Sequence, residues 1–232
     1  MINKVCSSPA AALEDVKDGA TVMIGGFGNS GLAVELIDAL IEQGARDLTL
    51  ISNNAGTAET GLAALIKQKR VRKMICSFPR QADSYIFDAA FRRGDVELEL
   101  VPQGTLAERI RAGGAGIGGF FTQTAYGTKL SEGKETRVID GRHYVFESPL
   151  KADFTLLKAY RGDRWGNLMY RKGGRNFGAV MASAANITVA QVVEIVPLGA
   201  LDPELIVTSG IYVQRVVEAA GLLPVATRVN AA

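Results

Sequence analysis

The sequence predicts an α/β fold: an open, mostly parallel sheet flanked by helices, with mixed or antiparallel strands in its second half. Three observations predict it. The first hundred residues alternate short apolar, β-branched runs with helical periods of leucine and isoleucine. The joints between these runs are short, the pattern of βαβ units. The second half then breaks the rhythm with a long glycine-rich stretch and an Asp-Gly turn between two strand-like runs.

Each element has its own reason. TVMIGGF (21–27) is apolar and ends in glycines, as a buried strand does. In 31–44, Leu32, Leu36, Leu40 and Ile41 recur at helical spacing and Gly44 supplies the stop. DLTLISN (47–53) is the next strand, 59–69 a helix, KMICSF (73–78) a strand and 82–93 a helix. VELELV (96–101) alternates apolar and acidic residues, which marks a half-exposed strand near a sheet edge. A helix follows at 105–113, then an aperiodic loop over 113–133. Asp140-Gly141 inside 136–148 signals a hairpin. Strands are expected at 152–160, 167–171 and 187–193, a helix at 177–185, and a frayed tail over 218–232, leaving one domain in residues 1–217.

Composition narrows the chemistry. The chain has 232 residues with 26 Lys+Arg against 24 Asp+Glu, a net charge of +2. That balance offers no electrostatic footprint for nucleic acid or an anionic membrane. No apolar run reaches the ~18 residues of a membrane span, and the polar N-terminus is unlike a signal peptide. Two cysteines without pattern, Cys6 and Cys76, suit a reducing cytoplasm. The one histidine, His143, stands in the expected hairpin far from any second ligand, and neither CxxC nor HExxH occurs, so no metal site is expected. Glycine is the surplus: 26 residues, about 11% against a typical ~7%.

Gly26, Gly28 and Gly31 fit GxGxxG between a strand and a helix, the context of a dinucleotide phosphate. A Rossmann site also needs an acid at the end of the second strand, where this chain has Ser52-Asn53-Asn54. A second match at 114–119 follows a helix instead. The same glycines serve equally as turns with positive φ or as places of close backbone approach to a ligand. Polar residues gather where strands should end: Asn53 and Asn54, Ser77, Arg80 and Gln81, and Gln103. Ligands of open α/β sheets bind there. Amides can hold an oxyanion but are poor nucleophiles and bases, and they can equally cap helices. The residues alone describe a ligand-binding α/β domain with stabilising groups and no evident nucleophile.

The run from Asp18 to Gly31, DGATVMIGGFGNSG, resembles the α-subunit signature of the family I (3-oxoacid) coenzyme A transferases. LTLISNNAG (48–56), the block 101–128 and the block 152–178 are similar to further parts of that subunit, and the likeness runs to about residue 217. Ala33 departs from it, standing where the signature has proline. SNNAG and SFPRQADSYIFD (77–88) look most like the members that use 3-oxoadipate; acetoacetate is the alternative acceptor.

The resemblance implies CoA transfer from succinyl-CoA to a 3-oxo acid by a ping-pong route through a glutamyl-CoA thioester. CoA is then a carried group and no cofactor is bound permanently. By the same likeness the glutamate belongs to a β subunit, in a Ser-Glu-Asn-Gly motif that this chain lacks, and the resemblance implies an α2β2 assembly. By the same likeness Gln103 stabilises the oxyanion, Asn53 and Asn54 position substrate, and Gly25, Gly26 and Phe27 wall the acyl site. Arg80 is added on chemical grounds, as a guanidinium for the distal carboxylate of the acid. Glu147 and Asp153 are expected in structural or interface roles. An NAD-linked oxidoreductase and a sugar-phosphate-binding domain remain as competing classes.

Overall fold

The computed structural model describes residues 1–220. Its main sheet runs β11-β10-β8-β1-β2-β3-β4. These strands are β1 (Thr21–Ile24), β2 (Leu48–Ile51), β3 (Val71–Cys76), β4 (Glu97–Leu100), β8 (Ala152–Asp163), β10 (Ala185–Val196) and β11 (Arg215–Glu218), and every neighbouring pair is parallel. The two-residue β9 (Leu168–Met169) folds back antiparallel on β8. A second, antiparallel sheet joins β5 (Phe120–Thr122), β7 (Arg142–Glu147) and β6 (Thr136–Ile139) in the order β5-β7-β6.

Side-chain alternation sorts the core onto two faces. Val22, Ile24, Leu48 and Leu50 pack with Leu36 and Leu40 of α1 (Val34–Gln43), Leu65 of α2 (Leu62–Lys67) and Phe87 of α3 (Tyr85–Arg92). Met23, Ile51 and Ile75 point the other way, toward Leu106 and Ile110 of α4 (Gln103–Gly114) and Met181 of α5 (Gly178–Met181). These strands are buried on both sides, which is why they read as continuous apolar runs. β4 is the exception that its alternating acids announced. It lies at the sheet edge, where Lys73 of β3 bridges Glu97 at 3.0 Å and Glu99 at 2.9 Å.

Several boundaries differ from expectation. The loop over 113–133 contains β5, whose three residues pair with β7. The helix expected over 177–185 is one turn, because Ala185 already belongs to β10 and pairs with Ala152. The strands of the second half are more parallel than expected, since β8, β10 and β11 all join the main sheet in parallel. β11 went unread: Glu218 lies in it rather than in a tail, and the amides of Ala219 and Ala220 donate to Val192 O at 2.7 Å and Glu35 Oε2 at 2.9 Å. The remainder of the expected tail, 221–232, lies outside the described residues. No helix among the described residues is long and apolar enough to cross a membrane.

The topology places a site. From β1 the chain builds outward through β2, β3 and β4; the second half then starts again on β1's other edge with β8. That reversal leaves a crevice beyond the carboxyl ends of β1 and β8, the usual ligand position in an open α/β sheet.

Candidate active site

β1 runs directly into Gly25, whose amide donates to Leu156 O at 3.0 Å and so carries the chain into the crevice. A Cβ on Gly25 would lie 3.5 Å from the Gly178 Cα, an ordinary van der Waals contact that places the turn beside α5. The turn itself closes through Phe27 and Ser30, which exchange backbone hydrogen bonds of 3.0 and 3.1 Å. Gly26, Gly28 and Gly31 all hold positive φ, at +145°, +58° and +76°. The GxGxxG match is therefore met as a turn. The helix does not start at Gly31; its N-cap is Ala33, with no side-chain cap.

Phe27 emerges from this turn 53% exposed. It lines a cleft of about 370 Å³ together with Gln103, Gly104, Ala107, Asn176, Phe177 and Val180. Gln103 is the first residue of α4, placed by Pro102 at the N-cap. Its Nε2 donates to Asn53 Oδ1 at 2.6 Å, joining the ends of β2 and β4. Asn53 is 1% exposed, and its carbonyl accepts from the amides of Ser77 and Phe78 at 3.2 and 2.9 Å. Two amide groups carry four N–H donors, and their mutual bond uses one whichever way they are turned. Gln103 keeps a second N–H beyond the one given to Asn53, so the wall combines a spare donor with an aromatic ring, and no acid or base lines it.

The expected site residues divide. Phe27 and Gln103 line this cleft, Asn53 stands behind Gln103 through their side-chain bond, and Gly25 and Gly26 lead into the turn that carries Phe27. Asn54 is buried beside them, but its Oδ1 accepts from the Gly56 amide at 2.9 Å, a local turn leading toward α2. Arg80 is not among the cleft's lining residues. Its side chain is 59% exposed, and Nε donates to Asp88 Oδ1 at 2.7 Å on α3.

The acids of the second half are engaged within the chain. Glu147 is 2% exposed and accepts from Lys134 Nζ at 2.7 Å, with Arg109 3.8 Å away. Asp153 accepts from the Thr21 amide at 2.8 Å. His143 stacks on Tyr126 with ring centres 4.5 Å apart, within the hairpin region. Among the described residues no group of three His, Cys, Asp or Glu is placed to hold a metal.

Sequence reasoning missed Asn176, Phe177 and Val180, the far wall of the cleft. Asn176 Nδ2 donates to both Ser30 O (2.9 Å) and Gly173 O (2.8 Å), tying the segment after β9 to the glycine turn. A lone asparagine in RKGGRNFG was the available signal, but no local rule assigns it a partner 146 residues away.

The crevice and its glycine turn lie at the usual ligand position of an open α/β sheet, and the chain belongs to the coenzyme A transferase family, whose model matches residues 6–219. It is 63% identical over 221 residues to the 3-oxoadipate CoA-transferase A-subunit of Pseudomonas putida, covering 95% of this chain and 96% of the relative. Identity to the protein of the same name from Acinetobacter baylyi is 59% over 217 residues, with 94% and 95% covered. The fold superposes on the acyl-CoA transferase apoenzyme of Escherichia coli O157:H7 with a TM-score of 0.82 at 21% identity, over 96% of this chain. This chain spans 49% of that longer one.

Proposed function

We propose that residues 1–217 form the α-subunit domain of a transferase that moves CoA from succinyl-CoA to 3-oxoadipate in the cytoplasm. A separate β subunit supplies the nucleophilic glutamate, in an α2β2 assembly. The observation that carries this reading is Gln103, bonded to Asn53, in the lining of a cleft that holds no acid or base. Such a wall can stabilise developing negative charge but cannot attack. The names of the two bacterial relatives support the acceptor and the existence of a partner subunit.

In the proposed reaction the partner's carboxylate adds to the thioester carbonyl. The carbonyl oxygen becomes an oxyanion, and its collapse expels CoA as thiolate and leaves a mixed anhydride. The thiolate then attacks the enzyme-side carbonyl of that anhydride, releasing succinate and forming a glutamyl-CoA thioester. The acceptor carboxylate reverses the two steps. Each addition passes through an oxyanion, and the Gln103 amide is the group assigned to donate to it. Asn53 holds Gln103 in place and Phe27 walls the acyl chain. CoA is carried through the cycle and is not a permanent cofactor.

The test is to purify the chain with its second subunit and supply succinyl-CoA with either 3-oxoadipate or acetoacetate, following acyl-CoA products by mass spectrometry. Formation of 3-oxoadipyl-CoA in preference to acetoacetyl-CoA is expected. Preference for acetoacetate would reassign the acceptor, and no transfer to either would overturn the reading.

A further inference from the structure

α4 keeps a glycine that its own structure does not require. Among the described residues four glycines lie inside α-helices: Gly104, Gly113 and Gly114 of α4 and Gly178 of α5. Three of them are explained by packing. A Cβ on Gly113 would run into Leu150 O, one on Gly114 into Ser183 Oγ, and one on Gly178 would lie 3.0 Å from Tyr170 Cε1. Gly104 has no such reason. Outside its own helix a Cβ there meets nothing within 4 Å, and its φ is not positive. Backbone and surroundings both permit a side chain. Glycine destabilises a helix relative to alanine, because it loses the most conformational freedom on folding. The residue therefore stands against the preference of the helix that holds it.

The space that Gly104 leaves open belongs to the cleft. Gly104 is exposed and lines the cleft next to Gln103, with Ala107 one turn further along α4. The rest of the lining is Phe27, Asn176, Phe177 and Val180, so α4 contributes the small residues and the other segments the large ones. Gln103 does not reach out into the cleft freely. Its Nε2 is held on Asn53 Oδ1 at 2.6 Å, and Asn53 is buried at the end of β2. A carbonyl oxygen that accepts the second N–H of that amide must come within about 3 Å of it. The carbonyl then lies down on the first turn of α4, and the next residue of that turn is Gly104.

We infer that Gly104 is the surface against which the reacting acyl carbonyl rests, and that its missing side chain lets the thioester and anhydride carbonyls reach the Gln103 amide. This deepens the transferase reading above and rests on it. A methyl group at position 104 takes the space beside the donor that the carbonyl needs. Both half-reactions bring a carbonyl to the same donor, so the methyl group hinders both alike. A residue that recognised only one of the two acids would hinder one.

The test is Gly104→Ala in the assembled enzyme, alone and combined with Gln103→Ala. The single variant should melt at or above the wild-type temperature, by up to about 4 °C. Its kcat/KM should fall by about 10- to 100-fold for succinyl-CoA and equally for 3-oxoadipate, as it does when a reacting group is displaced by about 1 Å. Added to Gln103→Ala, the same methyl group should lower kcat/KM by no more than about twofold, because the donor it obstructs is already gone. Unchanged kcat/KM in the single variant would overturn the inference. So would a lower melting temperature alongside the lower rate, since the glycine would then serve the fold. A full 10-fold loss in the Gln103→Ala background would separate Gly104 from the donor and overturn it as well. A wild-type enzyme that transfers no CoA would overturn the transferase reading itself, and this inference with it.

Discussion

Gln103 and Asn53 lie fifty positions apart in sequence and meet at 2.6 Å, side chain to side chain, where β2 ends and α4 begins. The contact exists because β2, β3 and β4 are consecutive neighbours in one parallel sheet, so their carboxyl ends open on the same edge. Asn53 is fixed by burial and by the Ser77 and Phe78 amides on its carbonyl, and through it Gln103 is fixed in turn.

Gln103→Ala in the assembled enzyme should therefore reduce kcat by 10²–10³-fold, about 2.7–4 kcal/mol of lost oxyanion stabilisation. Its KM values and its assembly with the β subunit should change little, since the residue sits at the first turn of α4 rather than inside the core. Steady-state kinetics with size-exclusion chromatography measures both, and unchanged turnover would remove the assigned role.

Much of this wall was legible in the sequence, because polar residues just after apolar strands report where a parallel sheet ends. Asn53 and Gln103 stand just after β2 and β4, whereas Phe27 entered only through the family resemblance. The far wall was not legible. Asn176, Phe177 and Val180 reach the cleft through β9 and a glycine-rich bend, whose path depends on the register of β8 with β1 and not on any local period. β11 was missed for a related reason: four residues carry too short a pattern to identify, and their strand character comes from pairing with β10. The GxGxxG match was legible as glycine but not as purpose.

Two glycines of that match should respond differently to substitution. A Cβ on Gly31 would lie 2.7 Å from both Asn176 Nδ2 and Gly174 O, so Gly31→Ala forces apart the turn and the segment after β9. Overpacking of this kind costs about 1–3 kcal/mol, added to the strain of φ +76°. Gly28 also has positive φ, but a Cβ there meets nothing within 4 Å, so Gly28→Ala should cost only about 1 kcal/mol. Urea unfolding of the two variants checks the ranking, and equal losses would show that φ alone decides.

Arg80→Ala separates recognition from surface pairing. The Arg80–Asp88 bond is 2.7 Å long, but the two side chains are 59% and 30% exposed, and pairs of that kind contribute about 0–1 kcal/mol. With its guanidinium engaged on α3, the expected outcome is a small stability loss and no discrimination between a dicarboxylate and a monocarboxylate acceptor. A KM that rises selectively for 3-oxoadipate would instead place Arg80 at the distal carboxylate.

The sheet edge should carry an acid-labile contribution to stability, centred on Glu99. Partial burial alone would raise its carboxyl pKa, but hydrogen bonds from Arg109 and Lys73 outweigh that and hold it below the ordinary 4.5. Arg109 Nη1 donates to Glu99 Oε1 at 2.9 Å and Nε to Ser148 O at 2.7 Å, so this one guanidinium ties the edge strand to the chain just beyond β7. A carboxyl whose folded pKa is depressed stabilises the fold above its unfolded pKa, and the contribution is lost as pH falls through the folded value. Glu99→Gln should therefore lower stability at neutral pH by about 1–3 kcal/mol, the range for hydrogen bonds to a charged group. The gap between variant and wild type should close as pH falls below about 4.5, because protonation removes from the wild type the charge that the variant already lacks. Urea unfolding midpoints followed from neutral pH into the carboxylate range measure the convergence. A gap that persists unchanged in acid would mean that Glu99 acts through packing rather than through its charge.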